Sequence, residues 1–157
     1  MKPSILLRWS TLLVVVPLLT ACGGGHRSQE FVSITKATAS PLRVSAPTVG
    51  QPSTFVVQWS AESSSNCLNS NLMASQPGRG YSFGSQTECG PKDFTQTCTV
   101  SADADDPNSR LVSCNRADPG FQAVPGSLLV EVESFYTSET YPNPVFSDAV
   151  SINVTLE

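Results

Sequence analysis

The clearest periodicity in the chain is an alternation of apolar and polar positions with a two-residue repeat. In Thr54 to Ser60, Phe55, Val57 and Trp59 fall on one face and Gln58 and Ser60 on the other, the pattern of a half-buried strand. Phe94 to Ser101 repeats it with Phe94, Cys98 and Val100. Ser127 to Tyr136 sets Leu128, Val130 and Val132 against Glu131 and Glu133, and Asp148 to Leu156 sets Val150, Ile152, Val154 and Leu156 against Ser151, Asn153 and Thr155. Phe31 to Ile34, Leu42 to Val44 and Leu111 to Asn115 are shorter strand candidates. Pro41, Pro47 and Pro52 confine pairing in their stretch to sheet edges, since proline offers no N–H to a ladder. Ala61 to Ser70 is rich in serine and asparagine, and 77–84 reads PGRGYSFG; both are expected to be loops. Asp103 to Ser109, DADDPNS, is strong turn chemistry. No apolar spacing of the helical kind is sustained, and no internal repeat is visible. About seven short strands with turns between them predict a single antiparallel β-sandwich over residues 31–157.

The amino-terminal pattern is of another kind. Lys2 and Arg8 give a positive start, and Ile5 to Leu19 is mostly apolar. That run is short of the roughly 20 residues that span a bilayer, and it reads as a secretory signal. It ends Leu19-Thr20-Ala21-Cys22, which resembles the lipobox of bacterial lipoproteins. The resemblance implies cleavage before Cys22, a diacylglycerol on its thiol and acylation of the freed amino group. Residues 1–21 are then the signal peptide, and 22–30, opening with Gly23 to Gly25, a flexible tether. Each buried methylene adds about 0.8 kcal/mol, so two or three acyl chains hold far more firmly than one. Gram-negative lipoproteins kept at the inner membrane commonly carry aspartate after the cysteine. Gly23 in that place implies, by the same resemblance, the outer membrane, with the domain facing the periplasm or the surface.

Composition narrows the partners. Losing Lys2 and Arg8 leaves seven basic residues against thirteen acidic ones, a balance of −6. This argues against nucleic acid, which needs a basic face, and against electrostatic adhesion to anionic lipid. Richness in Ser, Thr, Val and Pro again favours strands.

Cys67, Cys89, Cys98 and Cys114 remain after the anchor. An even count in an exported chain predicts two disulfides, and the spacing, without a Cys-x-x-Cys pair or nearby histidine, does not suit zinc. If the Asp103–Ser109 turn centres near Asp106, Cys98 lies opposite Cys114 and Val100 opposite Val112, all on one face. That register favours Cys98–Cys114 with Cys67–Cys89. Trp59-Ser60, followed through AESSSN by Cys67, is similar to bacterial immunoglobulin-like and fibronectin type III-like domains, and Phe94 to Cys98 is similar to their later Tyr-x-x-x-Cys strand. This resemblance implies an immunoglobulin-like sandwich and a rival pairing, Cys67–Cys98 with Cys89–Cys114.

Candidate chemistry is sparse. His26, the single histidine, sits in the tether, so no Ser/His/Asp or Cys/His arrangement assembles in the folded region. There is no phosphate-binding glycine loop, and no cofactor or metal is expected. Glu131 and Glu133 stand two apart on a strand, with backbones about 6 to 7 Å apart, a spacing that could suit glycoside hydrolysis. Alternation alone places them on a solvated sheet face. Asp103, Asp105 and Asp106 do not open an EF-hand, because positions six and twelve hold Asn108 and Cys114. The better recognition candidates are aromatic: Phe135, Tyr136, Tyr141 and Phe146 in FYTSETYPNPVF, and Arg79, Tyr81 and Phe83. The sequence thus leads to a non-enzymatic, lipid-anchored binding or adaptor module with a protein or glycan partner in the envelope. The alternative is a lipoprotein inhibitor or immunity factor that blocks an enzyme or toxin with an exposed loop. A hydrolase using Glu131 or Glu133 is a third reading.

Overall fold

The computed structural model describes residues 29–48, 50–115, 120–139 and 145–157. The signal segment, Cys22, residues 23–28 of the tether and Tyr141 lie outside the described residues. Within them the chain is all-β. The strands are β1 (Val32–Ser40), β2 (Arg43–Val44), β3 (Ser53–Ser63), β4 (Cys67–Gln76), β5 (Arg79–Cys89), β6 (Asp93–Ala102), β7 (Arg110–Ser113), β8 (Phe121–Ala123), β9 (Gly126–Thr137) and β10 (Val145–Leu156). They form two five-stranded sheets, ordered β1-β3-β6-β7-β8 and β2-β10-β9-β4-β5.

The inward faces are those the alternation predicts. Phe55, Val57 and Trp59 of β3, Phe94, Cys98 and Val100 of β6, and Leu128, Val130 and Val132 of β9 are all buried in one apolar cluster. Val154 and Leu156 close it from β10. Trp59 stacks on Phe94, ring centroids 5.2 Å apart and planes 6° from parallel. Burial at about 25 cal/mol per Å² of apolar surface makes these three-ring and aliphatic contacts the main source of cohesion between the sheets.

Three expectations need correction. The loop expected over Ala61 to Ser70 is shorter: β3 runs to Ser63 and β4 begins at Cys67. The loop expected at 77–84 is a turn, Pro77-Gly78, with Gly78 at φ 78°, leading straight into β5. Polar composition hid both strands. β4 buries Leu68, Ser70, Leu72 and Ala74 on one side and carries Asn69, Asn71 and Met73 on the other, so its alternation is real but is written partly in small polar residues. Second, the sandwich is not wholly antiparallel, since Arg43 and Val44 pair parallel to Thr155 and Leu156. Pro41 ends the β1 ladder, and the chain crosses there to the edge of the other sheet. Third, the pairing implied by the immunoglobulin-like resemblance does not occur. Cys98 bonds Cys114 and Cys67 bonds Cys89. The reason is register: Val100 faces Val112, which sets Cys98 against Cys114, while Cys67 faces Cys89 directly. Each bridge therefore staples neighbouring strands within a sheet.

The sheets are tied at one side by Asp148, whose carboxylate accepts the Ile34 N–H at 2.7 Å. A register shift between Ile34 and Lys36 frees that N–H from the β1–β3 ladder. At one end Gln76 donates to the Val124 and Ser127 carbonyls and accepts the Val124 N–H, joining β4 to the β8–β9 connection. The opposite side, between β5 and β6, is less tightly closed, and there the candidate site lies.

Candidate functional site

The expected recognition residues divide into two groups. Tyr81 stands opposite Ala74, and Ala74 opposite Val130. Tyr136 is six positions further along β9, which at strand rise is about 20 Å away. Arg79, Tyr81 and Phe83 therefore sit at one end of the second sheet and Tyr136 and Phe146 towards the other. Phe83 is buried in the core, Tyr81 is half-buried beside it with centroids 5.3 Å apart, and the exposed Arg79 donates to the Gln122 carbonyl at 3.4 Å. Tyr136 is buried, stacks on Phe146 at 5.4 Å, and its hydroxyl meets the Ser64 hydroxyl at 2.6 Å. Phe83 and Tyr136 spend their rings on closing the core.

Glu131 and Glu133 lie on the outer face of the second sheet. Glu131 accepts from Ser151 Oγ at 3.3 Å and Glu133 from Asn71 Nδ2 at 3.4 Å. Both partners are neutral. At the β6–β7 tip, Asp103 Oδ1 accepts the Asp105 N–H and Asp106 Oδ1 accepts the Asn108 N–H. These are Asx-type turn contacts that fold the connection back on itself.

What the structure does assemble is a cleft of about 220 Å³ between the sheets, lined by Trp59, Ser70, Leu72, Phe83, Gly84, Ser85, Gln86, Gln96 and Asn115. A bulge in β5 shapes its wall. Asn71 faces Ser85 and Met73 faces Ser82, so Phe83 and Gly84 together oppose Leu72. Gly84 takes φ 92°, which favours glycine at that point. The extra residue reverses which side chains of β5 point inward: Tyr81 and Phe83 before it, Gln86 after it. Gln86 then donates across the gap to the Gln96 amide oxygen, and Gln96 donates to the Cys114 carbonyl. The amide chain bridges the two sheets.

The floor is buried and fully paired. Trp59 Nε1 donates to Ser70 Oγ at 2.8 Å, and Ser70 donates to the Glu133 carbonyl at 2.9 Å. The Ser134 hydroxyl lies 3.0 Å from Ser70 Oγ. A serine hydroxyl has one donor and two acceptor sites, and this arrangement uses all three when Ser134 donates. No buried side-chain polar atom among the described residues lacks a partner. The mouth, by contrast, is exposed at Gly84, Ser85 and Asn115, with half-buried Gln86 and Gln96 at its sides.

None of the cleft's polar residues was among the sequence candidates. A signal existed for Gln96. It occupies an inward position between Phe94 and Cys98, and a polar side chain on a core face calls for a partner. Gln86 gave no such signal, because its inward direction depends on the bulge.

The described residues form two packed β-sheets, stapled by two disulfides, with a small cleft between β5 and β6 whose described lining holds no charged side chain. Comparison with known proteins finds no matching family model, no matching curated protein and no matching solved structure.

Proposed function

We propose that the chain is a lipid-anchored, non-enzymatic binding module of the bacterial cell envelope, probing its surroundings from a tether that starts at acylated Cys22. The observation that carries this reading is Leu19-Thr20-Ala21-Cys22 at the end of a short apolar run. Two disulfides support it, since such bridges persist in oxidising compartments such as the periplasm. The outer face of the first sheet also supports a binding role: beside Lys36, Glu62 and Asp93 it presents Thr38, Gln58, Thr95, Thr97 and Thr54, hydroxyl and amide groups suited to recognition.

An immunoglobulin-like assignment is part of this proposal. The order β10-β9-β4-β5 is that of the G, F, C and C′ strands, and β1-β3 that of A and B. The other half departs from the pattern, because β6, β7 and β8 follow β3 as a meander, in chain order.

The experiment is fractionation of cells expressing the full chain and Cys22→Ser, with chemical cross-linking before lysis. Wild-type chain should enter the detergent phase and cross-link to an envelope component, and Cys22→Ser should lose the detergent partition. Unchanged partition of Cys22→Ser would reject the anchor. A wild-type chain that cross-links to nothing in the envelope would reject the binding module.

A further inference from the structure

We propose that the cleft between β5 and β6 binds the acetamido group of a neutral N-acetylhexosamine residue exposed on a glycan. The inference deepens the binding-module reading and rests on it for the setting, though the cleft's chemistry stands by itself.

Size comes first. At about 220 Å³ the cleft falls below the roughly 300–1,000 Å³ of ordinary small-molecule sites. It admits a substituent, leaving the body of the ligand at the mouth. Charge comes second. Among the described residues, no lysine, arginine, aspartate, glutamate or histidine lines it. A phosphate, carboxylate or ammonium entering there would lose its hydration without a counter-charge, at a cost no neutral group bears. The described lining therefore suits a neutral occupant.

Lining decides the rest. Trp59, Leu72 and Phe83 give the deep part apolar carbon, and Gln86, Gln96 and Asn115 give the rim amides. A complementary group has a methyl end followed at once by a carbonyl and an N–H. The acetamido substituent of an amino sugar has this order. Primary amides offer both donors and acceptors. In the bonds described, Gln86 uses one N–H, and Gln96 one N–H and its oxygen, so both retain capacity. The sugar ring would rest at Gly84 and Ser85, where the missing side chain of Gly84 leaves the rim low: a Cβ built there meets nothing nearer than Asn115 Nδ2 at 3.9 Å.

Saturation-transfer NMR on the full chain in detergent micelles tests the assignment, with chitotriose as probe and cellotriose, which lacks the acetamido groups, as control. Chitotriose should bind weakly, with a Kd of about 1 mM, and with strongest saturation on its acetyl methyl protons. Cellotriose should show none. Gln86→Ala and Asn115→Ala should each weaken chitotriose about tenfold while melting within a few degrees of wild type. Either variant that fails to fold leaves the other to decide. Equal transfer to both sugars, no transfer to chitotriose, or undiminished binding by the folded variants would overturn the site. If chitotriose fails while the wild-type chain still cross-links in the envelope, the binding-module reading survives without this cleft.

Discussion

Cys98 and Cys114 are joined across the β6–β7 hairpin with Cα atoms 4.0 Å apart, and both are buried in the core shared by the two sheets. Cys67 and Cys89 are joined the same way across β4 and β5, with Cα atoms 4.1 Å apart, but on an exposed face. The two bridges are alike in geometry and opposite in surroundings. Chain entropy hardly separates them: sequence separations of 16 and 22 correspond to roughly 3 kcal/mol each.

Burial should therefore set the order of their effects. Replacing Cys98 and Cys114 together by alanine removes two sulfur atoms from packed surroundings as well as the cross-link, and should cost about 1–2 kcal/mol more than the same change at Cys67 and Cys89. Urea denaturation of the two double variants checks this. Equal midpoints, or the reverse order, would show that the buried bridge contributes no packing.

The Trp59–Ser70 contact makes a second prediction. Ser70→Ala leaves the Trp59 indole N–H buried without an acceptor, and should destabilise by about 1–3 kcal/mol. Trp59→Phe in the Ser70→Ala background removes the stranded donor, so the double change should cost less than the sum of the single ones. A double-mutant cycle measures the coupling. Strict additivity would mean that the hydrogen bond does not operate in solution.

Gly120 supplies a third. It holds φ 90°, and a Cβ there would come 2.8 Å from the Val112 carbonyl oxygen and 3.2 Å from Leu111. Both close neighbours belong to the β7 ladder. Gly120→Ala should cost more than ~1 kcal/mol, because it combines a disfavoured backbone region with a clash against a strand. Thermal denaturation reads it, and an unchanged melting temperature would contradict the close approach of Gly120 to β7.

Much of the fold was legible because apolar alternation is what buries a sheet face. Phe55, Val57 and Trp59, and Leu128, Val130 and Val132, declare their strands unaided. The Cys98–Cys114 register was legible because the turn residues between them fix which positions meet. β4 was hidden because Ser70 takes a core position as an acceptor for Trp59, so a buried residue looked like loop composition. β5 was hidden by Gly80 and Gly84 and by its bulge, which shifts the inward set midway. The cleft depends on that shift. Side chains 10 positions apart, Gln86 and Gln96, meet only after two strands in different sheets are in place, and no local pattern announces such a meeting. The proposed anchor is the reverse case: Leu19-Thr20-Ala21-Cys22 is wholly local, four consecutive residues outside the described part of the chain.

The most direct test of the account is the mass of the mature amino terminus. Protein extracted from membranes of a bacterium expressing the full chain is digested, and its first peptide is sequenced by mass spectrometry. It should begin at Cys22 and carry a diacylglycerol on the thiol together with an amide-linked acyl chain. A first peptide beginning elsewhere, or an unmodified Cys22 thiol, would contradict the anchored module at its root.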